Sequence, residues 1–368
     1  MPFIKNIQQF QSLAIVGMAK NTGKTTCLNY VIKRLQEEKK NIALTSIGVD
    51  GEERDVLYDT PKPRIILDEG IVFVTSEKDF AECEFPAEIL SISERSTPLG
   101  RLITARAKGS GKVVISGPSD SAWLQEVIAE MPKYGVDLTL VDGALSRMSL
   151  ASPAVTDAMI LCTGAACSSQ LPELIRRTKF RCELINLEQA DDSLQSQLQS
   201  LESGVWKLVN GERCKVNGAT PERTPCTVYR VPCTEIFWKK ISESVFTLEN
   251  FSENLLNNAN KIFVSGAVTD DFFKLLNAKK NHNVQLIVND FTKLFITPLS
   301  YDKFTRNGGQ INVLQKAKLL AVCTNPTSPE GANLNAVVLR EEMEKALEIP
   351  VYDVVKDKRL MTKPNVIF

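Results

Sequence analysis

The sequence predicts an α/β fold: a mostly parallel sheet flanked by helices, with an inserted hairpin and a second, smaller α/β domain. Three observations predict it. Short apolar runs rich in β-branched residues, such as Leu13-Ala-Ile-Val16 and Asn41-Ile-Ala-Leu-Thr45, recur without polar alternation, as strands buried on both faces of a parallel sheet do. An amphipathic helix follows the first run and glycine-broken loops follow several others, the rhythm of layered α/β domains. Composition then shifts, since Gly211 to Pro232 holds three prolines, scattered threonines and little apolar periodicity, as a connecting segment would. The expected organisation is a first domain over 1–210, a linker over 211–235 and a smaller α/β domain over 236–368.

The first element is the most informative. After Val16 comes GMAKNTGKTT, residues 17 to 26, and then Leu28, Val31, Ile32 and Leu35 at i, i+3, i+4 and i+7 with charged residues between them. That spacing predicts an amphipathic helix. Strand, tight loop and helix in this order are the context in which a GK[ST] sequence cradles phosphate. Gly23 lets the backbone approach an anion, and the free amides opening the helix point at it. Lys24 supplies charge for the β- and γ-phosphates and Thr25 a hydroxyl for magnesium. Gly17, Asn21, Thr22 and Thr26 complete the set expected to touch a nucleotide. Gly17 stands one residue early for the common spacing, with five residues before Gly23-Lys-Thr25.

The run at 41–45 fits a parallel strand reached by a right-handed crossover. It leads into Ser46-Ile-Gly-Val-Asp-Gly-Glu52, where Asp50 is a candidate to bind magnesium or orient water and Glu52 a weaker one. A pair of solvated acids in a turn reads equally well there. Arg64 to Val74 reads as two strands joined at Asp68-Glu-Gly70, the inserted hairpin. This insertion could serve as a lid, a substrate platform or a homodimer surface. Gly109-Ser-Gly-Lys112 imitates a phosphate loop, but the run Lys112-Val-Val-Ile-Ser116 follows it where a helix would be needed, so it reads as a turn. Val136 to Gly143 reads as a strand ending at Asp142, where an acid beside a phosphate loop binds magnesium directly or through water. Ser146 and Arg147 follow it, and Asp157 to Cys162 is a further strand.

In the second half, strands are expected at 261–265, 284–288, 293–296 and 318–323, with a helix over Asp270 to Ala278. Thr324-Asn-Pro-Thr-Ser-Pro-Glu-Gly331 reads as a binding loop or as a rigid connection, with Asn325 and Ser328 able to hydrogen-bond.

Composition excludes several classes. Forty-four basic residues balance forty-four acidic ones, so no global field draws the chain to nucleic acid or an anionic membrane. No apolar run is long enough to span a bilayer, and the expected location is cytoplasmic. Nine cysteines form no CxxC pair, which reads as small buried hydrophobes and not as a zinc or dithiol site. The single histidine, His282, has no motif around it.

The G-x5-GKT loop resembles those of dethiobiotin synthetase and the cobyrinic acid amide synthases, in the MinD-related class of P-loop NTPases. Asp142-Gly-Ala144 matches the acid-Gly-Ala strand end of dethiobiotin synthetases. Lys20 lies four residues before Lys24, where the signature lysine of MinD loops lies five before, so that role is not carried over. Taken with TSIGVDGE, VDGALSR, Thr156-Asp157, TNPTSPEG and PVYDV, the chain also looks like the B subunits of lysine 5,6-aminomutase reactivases. That resemblance implies ATP and Mg2+ as ligands, ATPase activity with Lys24, Asp50 and Asp142 as catalytic groups, Thr25, Asp50 and Asp142 around the metal, and an aminomutase and a second reactivase subunit as partners. No DxHxxG surrounds His282, so the chain does not look like a cobalamin carrier itself. A small-molecule kinase or ligase, or a nucleotide sensor that does not hydrolyse, are the alternatives. The absence of an NKxD motif favours adenine over guanine.

Overall fold

Burial on both faces explains why the apolar runs become the centre of a sheet. The computed structural model describes residues 3–47, 65–144, 151–210, 236–248, 259–278 and 283–355. In chain order it contains α1 (Phe3–Ile7), β1 (Ser12–Gly17), α2 (Lys24–Glu37), β2 (Ile42–Ser46), β3 (Ile65–Leu67), β4 (Val72–Ser76), α3 (Glu77–Ala81), β5 (Ala87–Thr97), β6 (Gly100–Ala107), β7 (Gly111–Val113), α4 (Ser121–Glu130), β8 (Leu138–Ala144), β9 (Ala158–Gly164) and α5 (Leu171–Ile185). There follow α6 (Asp192–Gln199), β10 (Val205–Asn210), β11 (Ile236–Ser242), α7 (Val245–Leu248), β12 (Lys261–Val264), β13 (Val268–Thr269), α8 (Asp270–Ala278), β14 (Gln285–Val288), β15 (Leu294–Phe295), α9 (Pro298–Arg306) and β16 (Gln310–Val313). The last elements are β17 (Leu319–Asn325), α10 (Ala336–Leu347) and β18 (Val351–Tyr352).

Nine strands form the large sheet in the order β18-β17-β9-β1-β8-β2-β4-β6-β5. Every pair from β18 to β4 is parallel, and only β6 runs against its neighbours β4 and β5. β1 and β9 are buried at every residue, as strands covered on both faces must be. The predicted stripe of α2 packs there, with Leu28, Val31, Ile32 and Leu35 all 3% exposed or less.

Carboxylates fasten the amino-terminal ends of these strands. Asp157 Oδ2 accepts the N–H groups of Gln11 and Ser12, each at 2.9 Å, and the Asp157 N–H donates to Ser12 Oγ at 2.9 Å. Asp137 does the same for β2, with Oδ2 accepting the Asn41 N–H at 2.9 Å. Each bond satisfies a backbone group that precedes the ladder.

Two compact units divide the chain: Met1–Asn186 with Ala317–Phe368, and Leu187–Lys316. This corrects the expected boundaries at both ends of the smaller domain. β17, expected in that domain, pairs with β9 in the large sheet, with Cys323 opposite Cys162. β10, expected in the first domain, instead joins β11 and β12. The 211–235 segment lies outside the described residues. The second unit is α/β, with a sheet ordered β11-β10-β12-β14-β16 in which β12, β14 and β16 are parallel. α6 covers it through Leu194 and Leu198 against Phe263, Ile287 and Leu314.

The inserted hairpin is also corrected. β3 and β4 do not pair with each other: β3 pairs with β7, and β4 enters the large sheet between β2 and β6. All five residues of β4 are buried, so it requires neighbours on both edges. The hairpin of this region is β5–β6, closed at Thr97-Pro-Leu-Gly100, where Thr97 Oγ1 donates to Gly100 O at 2.8 Å. The run expected at 112–116 shortens to β7, a strand that does open on the Gly-Ser-Gly turn. No described helix is long and apolar enough to cross a membrane.

The Asp157 fastening predicts that Asp157→Ala costs about 1 kcal/mol of stability, the net worth of exposed backbone-to-carboxylate bonds. Urea unfolding measures it, and an unchanged midpoint would mean that water replaces the carboxylate without loss.

Candidate functional site

The site begins where β1 ends. The chain reaches β9 from β8 by crossing β1, which lies between them, while β2 lies on the far side of β8. Open α/β sheets bind ligands at such a reversal, outside the carboxyl ends of the strands. Ile15 stands opposite Asp142 and Gly17 opposite both Ala144 and Cys162, so the loop from 18 to 23 rises between two strand ends.

The early glycine now has a physical reason. A Cβ at Gly17 would lie 2.6 Å from Thr22 Oγ1 and 3.2 Å from Ala19 O, because the loop folds back over its own first residue. Thr22 is buried and its hydroxyl donates to Ala19 O at 3.0 Å. Asn21 at φ 61° and Gly23 at φ 83° both adopt the left-handed conformation, and alternation of this kind turns successive N–H groups toward one concavity. Gly23 caps α2 without any side-chain hydrogen bond, and the first turn holds no acid. The opening amides, among them those of Lys24, Thr25 and Thr26, therefore face outward without intrahelical partners, as helix geometry requires.

Lys24 and Asp142 come together as expected. Lys24 Nζ lies 3.0 Å from Asp142 Oδ1, with side chains 25% and 18% exposed. That oxygen is buried and accepts no well-directed hydrogen bond among the described residues, so the ionic contact is what neutralises it. Thr25 is half-buried, and Asn21 and Thr26 are exposed. Asp50, Glu52, Ser146, Arg147 and His282 lie outside the described residues.

Asn325 is the member whose role the sequence did not assign. It ends β17, and its Nδ2 donates to Asn21 O at 3.0 Å, bracing the phosphate-loop candidate. A Cβ at Gly23 would meet Asn325 Cβ at 3.0 Å. The Asn325 amide is itself oriented, its Oδ1 accepting from Thr327 N at 3.2 Å and Thr327 Oγ1 at 3.0 Å. The 324–331 loop thus belongs to this site and to the large sheet. The signal was present as an Asn at a strand's carboxyl end, but its partner is 304 residues away.

Three cysteines lie beneath the loop. Cys27 Sγ is 3.4 Å from Cys323 Sγ, Cys323 is the register partner of Cys162, and Cys162 O accepts the Met18 N–H at 2.8 Å. For Cys27, the hydrogen bond with Cys162 lowers the pKa, but the bond with Cys323 and burial outweigh it and hold the thiol well above its usual range. The bond with Cys27 and burial raise Cys162 likewise, against the opposing bond with Cys323. These are packed, neutral thiols, in keeping with the reading as small hydrophobes. Cys214, Cys226 and Cys233 lie outside the described residues.

A metal ion here would need ligands from elsewhere. Among the described residues no group of three His, Cys, Asp or Glu side chains is placed to hold one. Magnesium fits such a site, since it keeps several waters and takes phosphate oxygens beside one or two protein ligands. Comparison with protein-family models, curated proteins and solved structures finds no match.

Burial of the thiols predicts that iodoacetamide at neutral pH leaves Cys27, Cys162 and Cys323 unmodified in the native protein and labels them on unfolding. Peptide mass mapping reads this, and native labelling of Cys27 would contradict the packing described.

Proposed function

We propose that the chain binds ATP with Mg2+ at the amino end of α2 and hydrolyses it, in the service of reactivating a cobalamin-dependent amino-acid aminomutase. One observation carries the nucleotide half of this reading. An uncapped helix start, a lysine on its first residue and a strand-ending aspartate 3.0 Å from that lysine converge at the chain reversal of a parallel sheet. Neutral amides and one ammonium suit a polyphosphate. Lys24 would follow the terminal phosphates, and Asp142 and Thr25 would hold the cation. The cation would supply positive charge to the phosphate oxygens during transfer. Asn325 keeps the loop in the shape that aims its N–H groups. The lack of a guanine-reading NKxD sequence favours ATP. The aminomutase half rests on the resemblance of GMAKNTGKTT, VDGALSR and TNPTSPEG to the reactivase B subunits, and adds a second subunit as partner. The cytoplasm, where such enzymes act, is the proposed location.

The test is phosphate release from Mg·ATP by wild type and Lys24→Ala, alone and with an inactivated cobalamin aminomutase and its cofactor. The expected outcome is stimulation by the aminomutase and a fall of about 100-fold in Lys24→Ala, the size seen when one charge-stabilising group is lost. Activity untouched by the substitution removes the site. Stimulation by a carboxylate or amine metabolite and by no protein replaces the reactivase reading with that of a kinase or ligase.

The brace predicts that Asn325→Ala weakens ATP binding about tenfold, roughly one lost well-placed hydrogen bond, as read by calorimetry. Unchanged affinity would mean that the loop holds its shape unaided.

A further inference from the structure

We propose that Lys24 and Asp142 serve as each other's counter-ions, so that metal ion and triphosphate each bind well only when the other is present. The inference rests on the nucleotide reading above and concerns how that site is controlled. The two groups meet at 3.0 Å on largely covered side chains, and Asp142 Oδ1 has no well-directed hydrogen bond from any described residue to replace the ammonium. Withdrawing one ion of such a pair leaves the other uncompensated.

The consequences are opposite for the two ligands taken singly. A triphosphate that draws Lys24 away without a metal leaves the Asp142 carboxylate facing phosphate oxygens. A divalent cation at Asp142 without a phosphate leaves the Lys24 ammonium against a like charge. Joint arrival satisfies both, since the cation takes the carboxylate as the phosphate takes the ammonium. The coupling is reciprocal by linkage. The amides opening α2 are neutral and serve the triphosphate in either case, so metal-free binding is weakened and not abolished. Asp142 is thus both a candidate metal ligand and, when no metal is present, a competitor of the nucleotide for Lys24.

That double role gives a result with an uncommon sign. Titration calorimetry of ATP in EDTA and in excess Mg2+ compares wild type with Asp142→Asn. The asparagine protein is expected to bind ATP in EDTA about fivefold more tightly than wild type, the worth of a partly exposed ion pair, and to gain less from Mg2+. Lys24→Met gives an independent reading without nucleotide: Mn2+, followed by electron paramagnetic resonance, is expected to bind about fivefold more tightly than to wild type. Equal ATP affinity of wild type and Asp142→Asn in EDTA, or Mn2+ binding unchanged in Lys24→Met, overturns the counter-ion inference and leaves nucleotide binding standing. Absence of ATP binding by wild type in both buffers overturns the nucleotide reading and this inference with it.

Discussion

The structure depends on one constraint: β1 is enclosed on both edges and both faces, so all its backbone groups are committed and the chain must leave the sheet at Gly17. β8 and β9 take its two hydrogen-bonding edges, and the helical layer that includes α2 covers one face. The loop after Gly17 has to turn sharply enough for α2 to return along the sheet. The turn is made with left-handed residues at Asn21 and Gly23, and its tightness forbids a side chain at Gly17. The same return leaves the first amides of α2 without carbonyls to pair with. Anion-binding geometry is thus a by-product of burying the strand, and the fold needs only Lys24 and the neighbouring strand's Asp142 to add charge.

A second dependence runs through β17. The chain leaves the large sheet after α5, builds a separate α/β unit over Leu187–Lys316 and returns to the sheet at Leu319. Because β17 lies beside β9, its last residue reaches the loop that β1 begins. Asn325 then ties Asn21 to a strand that comes some three hundred residues later. Cys323 and Cys27, two side chains on either side of this join, touch as neutral thiols. The loop's shape is fixed from its own first residue, by Thr22 bonding to Ala19, and from outside, by Asn325.

What the sequence made legible was local, and what it hid was pairing. The strand, loop and helix from Ser12 to Glu37 could be read because each residue's role depends on neighbours within a few positions. The helix Asp270–Ala278 was legible for the same reason. β17 was recognised as a strand but put in the wrong sheet, since an apolar run carries no record of which edge it will join. β3 and β4 read as a hairpin because Asp68-Glu-Gly70 does form a turn, with Gly70 at φ 91°. Only the complete burial of β4, a property of its partners, separates the two strands. Asn325 was noticed as a hydrogen-bonding residue in a loop, but its partner could not be read from spacing.

Electrostatics explains why such a site has to be built from amides. The chain carries no net formal charge, so no long-range field concentrates polyanions near it. Locally the one lysine of the loop that faces the strand ends is already matched by Asp142, which brings the charge of that pair to zero as well. Without a metal, what remains to attract phosphate is the alignment of neutral N–H dipoles at the start of α2, fixed by a loop braced at both ends. Dipoles of this kind discriminate by geometry, because their field falls away within the first turn. An anion must fit the concavity to feel them. A divalent cation that displaces the lysine from Asp142 adds charge to the site at the moment a phosphate is there to use it.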